Sequence, residues 1–356
     1  MSKWKHRDEG KRISKAVIKD KSTAELREAK KFLDGLLKLR KSQKLSKTYI
    51  EGTKKALAYN ENGKIHCDFR FDGTATGRLS CAAYTAGKNS MGVSFHTLPR
   101  ETENNIRNLF KAPGDWAFIA ADYAAMELRI LSHIAGEGAM QKAFREGADL
   151  HTYTAQLLFN KEDITKEERQ IAKSVSFLIV YGGGAFNLSE SNGIPMKRAE
   201  QIIAKYANVY PGIFSYMDHV NESAKRDGYV TSIFGRKRTL PDVYSKDPGV
   251  VNRALRQALN FTVQSPASDV LLTALLGASR RFKEAGLQAV PVATVHDSIE
   301  IVCPKEEVRE TASILYDEMV NYPTMREIFN IHLDVPLGVD LEVGTSFGNV
   351  EEYHIS

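Results

Sequence analysis

The most constraining stretch of this 356-residue chain is a short apolar run that ends abruptly on a carboxylate. Ala117-Phe118-Ile119-Ala120-Ala121 has the length and composition of a buried strand. It ends on Asp122, and a helix-compatible segment from Ala124 to Ala135 follows at once. A carboxylate at the tip of a buried strand is poorly solvated from below, so it is stable mainly where a cation faces it. A second such tip lies far downstream. Val290 to Val295 and Ile299 to Val302 predict the two strands of a hairpin, with His296-Asp297 at its turn. One aspartate at a strand end is ordinary turn chemistry. Two brought side by side form a hard-oxygen site suited to paired Mg²⁺.

Hydrophobic residues make up 42% of the chain and charged residues 26%, the balance of a globular protein with a sizeable core and two or three sub-domains. No apolar run approaches ~18 residues, so no membrane span is expected. The N-terminus has charge but no apolar core of a signal peptide. Cys67, Cys81 and Cys303 show no metal-ligand spacing and predict free thiols in a reducing, cytoplasmic setting. Charge is uneven: residues 1–55 carry 18 Lys/Arg against 7 Asp/Glu, and the remainder 31 against 37. A basic arm on a mildly acidic body suits either a polyanion lying along it or a solvated lysine-rich helix.

Residues 22–58 predict a helix opened by a Ser22-Thr23-Ala24-Glu25 capping box, with Leu26, Phe32, Leu33, Leu36, Leu37 and Leu39 as an apolar stripe. Lys64 to Phe71 alternates as a strand. Thr74-Ala75-Thr76-Gly77-Arg78-Leu79-Ser80 sets small hydroxyls, a glycine and one Arg where backbone and guanidinium are free to approach a phosphate or base edge. The Gly/Ser/Asn-rich stretch from Cys81 to Val93 predicts a mobile insertion. His151 falls near a helix start, where it suits phosphate donation or simple packing. In the helix over Thr165 to Tyr181, Arg169, Lys173, Phe177 and Tyr181 recur every fourth residue. Each step turns about 400°, so all four line one face about 18 Å long. Two cations followed by two aromatics match a triphosphate lying over a base and sugar, and Gly182-Gly183-Gly184 ends the helix. The helix from Val250 to Ala274 carries Arg253, Arg256, Asn260 and Gln264 on a polar face suited to minor-groove or template contacts. Asp334 to Gly344 predicts a closing strand.

In this order the motifs resemble the family A DNA polymerases, the group of bacterial DNA polymerase I, over roughly residues 30–356. The resemblance implies that Asp122 and Asp297 are catalytic metal ligands for two Mg²⁺ ions, with Tyr123 adding a backbone carbonyl. It implies that Glu127 is the steric gate against a ribose 2′-hydroxyl. His151, Arg169, Lys173, Phe177 and Tyr181 become the nucleotide-binding set. Thr76, Arg78, Arg256, Asn260, Gln264 and His296 become DNA contacts. Two departures stand out. Ser298 occupies a position that is usually Glu, and Glu300, on the same strand face about 6.7 Å along, is a candidate substitute. Leu178 replaces a usual Gly and is expected to stiffen its helix.

The expected architecture is therefore α+β: a polymerase right hand with an antiparallel palm sheet, helical fingers and a rudimentary helical thumb. Residues 1–58 would form the basic arm and partial thumb, 59–150 and 246–356 the palm, and 151–245 the fingers. The expected reaction is template-directed addition of dNTPs to a primer 3′-hydroxyl, without proofreading, on primer-template DNA. Because only about 70 residues precede Thr74, a separately encoded upstream thumb or exonuclease polypeptide is an expected partner, and salt-sensitive, distributive synthesis an expected property of the lone chain. The alternatives are one half of a split polymerase, a non-catalytic DNA-binding remnant, and a single-subunit RNA polymerase. Glu127 and the Thr74–Ser80 element argue against the last.

Overall fold

The computed structural model describes residues 24–60, 62–86, 89–90, 92–99 and 105–355. The Ser22-Thr23 start of the expected capping box and the basic arm before it lie outside them. The described residues divide into two compact units, one holding those up to Asp68 together with 81–98, the other Phe69–Ser80 and everything from Pro99 onward.

In the first unit, α1 (Ala24–Lys44) runs through a π-helical stretch, Leu45–Ile50, into α2 (Glu51–Tyr59). Tyr49 is the buried residue of that stretch, and its hydroxyl donates to the Thr97 carbonyl. Of the apolar stripe on α1, Leu33 and Leu36 are half-buried, whereas Phe32, Leu37 and Leu39 are exposed. β1 (Cys67–Arg70) and β2 (Ser80–Ala83) follow. Within the segment expected as a mobile insertion, β3 (Thr85–Ala86) and β4 (Asn89–Ser90) pair antiparallel with Thr85 opposite Ser90. Small side chains had hidden a segment whose backbone is free to pair.

The second unit begins its regular structure with β5 (Trp116–Tyr123) and passes through α3 (Met126–Ile134), α4 (Gly138–Arg145), α5 (Leu150–Phe159), α6 (Lys166–Val180), α7 (Ala185–Asn192), α8 (Met196–Val209) and α9 (Pro211–Asp227). A hairpin of β6 (Tyr229–Thr231) and β7 (Lys237–Thr239) leads to the long α10 (Pro248–Glu284). After β8 (Val290–Val295) and β9 (Ser298–Pro304) come α11 (Val308–Val320), α12 (Pro323–Phe329), β10 (Val339–Ser346) and β11 (Asn349–Glu352). The sheet order is β11-β10-β5-β9-β8, antiparallel throughout. Helix α10 extends ten residues beyond the sequence reading, and the closing strand expected from Asp334 starts at Val339 and is followed by β11.

Strand alternation gives the sheet two faces. Ile119, Ala121 and Tyr123 of β5 and Ile299 and Ile301 of β9 share one core with Val270, Leu271 and Ala274 of α10 and Leu315 and Met319 of α11. Phe118, Ala120 and Val302 point to the opposite face, against Trp116, Phe347 and Val350. Each fully buried Ile contributes roughly 1.5–3 kcal/mol, and Ile119, Ile299 and Ile301 are all fully buried. That anchoring holds the β5 and β9 ends, and with them Asp122 and Asp297, in register: Asp122 stands opposite Ser298 on β9 and Asp340 on β10.

The approach of α11 to α10 depends on Gly277. A methyl group there would lie 2.3 Å from both Glu318 Oε2 and Thr324 Oγ1. Glu318 is fully buried and held by Arg281 Nη1 at 3.1 Å, so its carboxylate cannot swing aside. Gly to Ala inside a helix ordinarily gains about 1 kcal/mol, whereas overpacking a core costs about 1–3 kcal/mol. Gly277→Ala is therefore expected to lose about 1 kcal/mol net in a urea titration. A variant as stable as wild type would show that Glu318 yields.

Candidate active site

Both strand tips are built on strained backbone. Ala125, the N-cap of α3, has φ 53°, and His296, in the two-residue turn between β8 and β9, has φ 60°. Non-glycine residues in the left-handed region cost of order 1 kcal/mol and cluster where geometry is over-determined by function. The Tyr123 N–H donates to the Asp297 carbonyl at 3.1 Å, which ties the end of β5 to the turn. Asp122 and Asp297 are thus brought to neighbouring positions from 175 residues apart.

Over them lies a polar cluster drawn from five elements. Arg78 Nη2 donates to Glu127 Oε1 at 2.7 Å and to Asp297 Oδ1 at 3.1 Å. The Tyr181 hydroxyl donates to Glu127 Oε2 at 2.9 Å, and Gln264 of α10 bonds to the same pair. Burial raises the Glu127 carboxyl above its ordinary range, with Asp297 adding to the rise and Arg78 and Tyr181 opposing it. Burial and the adjoining Glu127 push the Tyr181 hydroxyl up to about 12. The loop that carries Arg78 is itself braced: Thr74 Oγ1 donates to the Arg78 carbonyl at 2.7 Å, with Thr76 Oγ1 3.5 Å from Thr74 Oγ1. Ser268 Oγ donates to the Gly77 carbonyl at 3.0 Å.

A second cluster occupies the N-terminal half of α6. The capping box is present, with Thr165 Oγ1 accepting from the Glu168 N–H and Glu168 reaching back to the Thr165 N–H. Arg169 makes a two-pronged pair with Asp149, at 2.9 and 2.8 Å, and that pairing holds the Asp149 carboxyl well below its ordinary range. Asp149 also caps α5, where His151 lies. Burial, with Lys173 and Arg169 nearby, lowers His151 to about 4, so the imidazole is neutral at neutral pH. It offers a hydrogen bond rather than a charge. Its ring centroid is 5.9 Å from that of Phe177. Lys173 is exposed on the same helix face.

The structure thus joins Arg78, Glu127, Tyr181, Gln264 and Asp297 in one network and His151, Arg169, Lys173 and Phe177 in another, with α6 spanning both. Arg256 packs over the end of α6: a Cβ at Gly182, whose φ is 64°, would sit 2.6 Å from Arg256 Cγ. The Asn260 Oδ1 is buried with no hydrogen-bond partner among the described residues.

Sequence reasoning missed the support of this loop. Arg236 pairs with Asp269 at 2.6 Å and lies beneath Gly77, while Arg238 donates to Gln257 Oε1 at 3.0 Å. In the run Arg236-Lys237-Arg238, two of the three adjacent cations therefore hold structure. Their spacing carried no signal of partners on another helix.

Asp122, Asp297 and the Tyr123 carbonyl would offer oxygen donors of the kind hard divalent cations take. The fit is supported by Arg78, whose guanidinium already stands on Asp297 Oδ1 where a cation is needed. Among the described residues no group of three or more His, Cys, Asp or Glu forms a ready cage.

The family model for DNA polymerase family A matches residues 2–349. DNA polymerase I of Geobacillus stearothermophilus is 36% identical over 89% of this chain, which spans 35% of that protein. The thermostable DNA polymerase I of Thermus aquaticus is 31% identical over 96% of the chain and 39% of its own length. Among solved structures, the polymerase domain of Pol1 from M. smegmatis, in complex with DNA primer-template and dNTP, superposes with a TM-score of 0.82 at 28% identity, covering 95% of this chain and 56% of that one. The fold is that of a polymerase right hand, α+β with an antiparallel palm sheet. The chain belongs to DNA polymerase family A, and it spans about a third of the length of the curated relatives it matches. Among the described residues no helix is long and apolar enough to cross a membrane.

Glu300 is a second buried carboxyl besides Glu127, 2% exposed, and burial pushes it up to about 7, with Asp122 adding to the rise. Ser298 Oγ lies 2.7 Å from Glu300 Oε1 and 3.0 Å from the Val295 carbonyl. One hydroxyl proton cannot serve both. A protonated Glu300 resolves this by donating to Ser298 Oγ while the hydroxyl donates onward. Because the folded value is raised above the ordinary 4.5, the stability this carboxyl contributes is full below pH about 4.5 and is lost as pH rises through about 7. Glu300→Gln, neutral throughout, is expected to exceed wild type by about 2–3 kcal/mol at pH 8 in a chelator and to match it near pH 4.5, measured by denaturant titration across that range. Parallel curves would show that the carboxyl ionises freely.

Proposed function

We propose that this chain is the catalytic region of a template-directed DNA polymerase that adds dNTPs to a primer 3′-hydroxyl. The observation that carries the proposal is the Arg78–Glu127–Tyr181 network standing on Asp297, which joins the Thr74–Ser80 element, α3, the end of α6 and the β8–β9 turn. Family membership and the primer-template and dNTP held by the M. smegmatis relative support it. In this reading 59–150 and 246–356 form the palm, 151–245 the fingers, and 1–58 a basic arm that grips duplex phosphates.

Asp122 and Asp297, with the Tyr123 carbonyl, would hold magnesium. Bound there, it would supply the lowered pKa of the primer 3′-hydroxyl and charge neutralisation on the triphosphate, two ions dividing those tasks. The chain's own residues do the rest. Lys173 and Arg169 take the negative charge that develops on the leaving pyrophosphate, Arg169 exchanging Asp149 for phosphate oxygens. His151 donates one hydrogen bond to the same group. Phe177 and Tyr181 cover base and sugar. Arg78, released from Asp297, reads the primer end beside Thr76 and His296, while Arg256, Asn260 and Gln264 follow the template and primer. Glu127, fixed on both oxygens, closes the space a ribose 2′-hydroxyl would need.

The direct test is primer extension by the purified chain with dNTPs and Mg²⁺, with and without an upstream polypeptide bearing thumb contacts. No extension in either arm overturns the polymerase reading. Extension only with the upstream polypeptide supports the split form, which the exposed Phe32, Leu37 and Leu39 of α1 favour.

Asp297→Ala is expected to lower the extension rate at least about a thousandfold, the scale of several kcal/mol of lost charge stabilisation. DNA affinity by fluorescence anisotropy should change little. A rate within tenfold of wild type removes Asp297 from the metal site.

Glu127→Ala should reduce the dNTP-over-rNTP preference by roughly ten- to hundredfold in single-nucleotide kcat/KM, since a cavity would replace the group that crowds the 2′-hydroxyl. Glu127→Gln, of nearly equal size, should keep most of it. Unchanged discrimination in both variants places the gate elsewhere and revives an RNA polymerase.

A further inference from the structure

Cys67 and Cys81 are 14 positions apart in sequence yet lie on neighbouring strands, β1 and β2. Their thiols lie close enough to interact with each other. Both are only partly buried, and both are anchored to the same short segment: Cys67 Sγ donates to the Val93 carbonyl at 2.9 Å, and Ser94 Oγ donates to the Cys81 carbonyl at 2.6 Å. Neither thiol has a role in the site described above. We propose that Cys67 and Cys81 form a reversible redox-modification site that closes to an intramolecular disulfide when the chain meets a small-molecule disulfide oxidant.

The pair is asymmetric in the way such chemistry requires. The adjoining Cys67 thiol lowers the Cys81 thiol to about 5, while Cys81 and burial raise Cys67 above the ordinary thiol range. Cys81 is therefore the thiolate nucleophile and Cys67 the resolving thiol. In the first step Cys81 Sγ⁻ attacks one sulfur of glutathione disulfide, forming a mixed disulfide and expelling one glutathione thiolate. In the second, Cys67 passes its proton to solvent, attacks Cys81 Sγ and expels the other glutathione. Two protein thiols are oxidised and one glutathione disulfide is reduced to two thiols, so electrons and atoms balance. The resulting ring encloses residues 68–80, the segment that carries Thr74, Thr76 and Arg78. Cys303 is buried and stands apart from this chemistry.

The test uses the full chain, reduced and then exposed to glutathione disulfide at pH 7, with free thiols alkylated before non-reducing proteolysis and mass spectrometry. The expected product is a Cys67–Cys81 linked peptide, two hydrogens lighter than the reduced pair and restored by dithiothreitol, with Cys303 still a thiol. In Cys67→Ser, Cys81 should stall as the glutathione mixed disulfide. In Cys81→Ser, modification of Cys67 should slow at least about tenfold. Absence of the linked peptide from the wild-type chain, whether the thiols stay reduced or carry glutathione separately, overturns the proposal. Equal rates at Cys67 with and without Cys81 overturn the assigned roles.

Discussion

A single guanidinium holds the candidate site together. Arg78 stands between Glu127 and Asp297, two carboxylates that would otherwise face each other across a partly buried space. Glu127 is 4% exposed, and a carboxylate so buried is costly unless paired. Losing one partner of a buried pair costs about 3–5 kcal/mol, because the remaining charge is left uncompensated. The positions of the Thr74–Ser80 loop, α3 and the β8–β9 turn are therefore linked through one charge. Tyr181 adds the end of α6 to the same carboxylate. If Mg²⁺ and DNA bind as proposed, Arg78 must trade Asp297 for another partner, so substrate and side chain compete for one anion.

The backbone meets this demand with strain. Ala125 and His296 both adopt positive φ beside a carboxylate-bearing strand end, and α3 starts without a side-chain cap. These local costs are carried by the sheet core, where Ile119, Ile299 and Ile301 are fully buried. The same division of labour appears in α10. Its buried face packs against the sheet and α11 through Val270, Leu271 and Ala274, while Gln264 and Ser268 reach the network and the Arg78 loop.

Ser298 and Glu300 give this chain its own variation. Ser298 follows Asp297, and the acid hydrogen-bonded to its hydroxyl, Glu300, lies two residues on and is buried. Being buried, it keeps its proton well above the ordinary carboxylate range and is only about half ionised near pH 7, so it is not a fully charged ligand. A nearby cation would shift that balance toward the carboxylate, by the same electrostatics that Asp122 exerts in the opposite direction.

What the sequence determined by itself was everything governed by local periodicity. The β5 strand, the β8–β9 hairpin with His296-Asp297 at the turn, and the Thr165 capping box are set by neighbours within a few residues and appear in the structure, although β5 runs on through Asp122 to Tyr123 and β9 extends from Ser298 to Pro304. The four-residue spacing that aligned Arg169, Lys173, Phe177 and Tyr181 likewise survives, because a helix converts spacing directly into a face. Only the tertiary structure decided who partners whom. Arg78 meets residues 49 and 219 positions away, Arg169 turns back to Asp149, and Arg236 braces the Gly77 turn through Asp269. The paired strands Thr85–Ala86 and Asn89–Ser90 and the raised pKa of Glu300 were equally hidden. The reason is physical: strand and helix signals are sums over adjacent residues, whereas an ion pair or a shifted pKa depends on which distant group arrives and how much water it displaces.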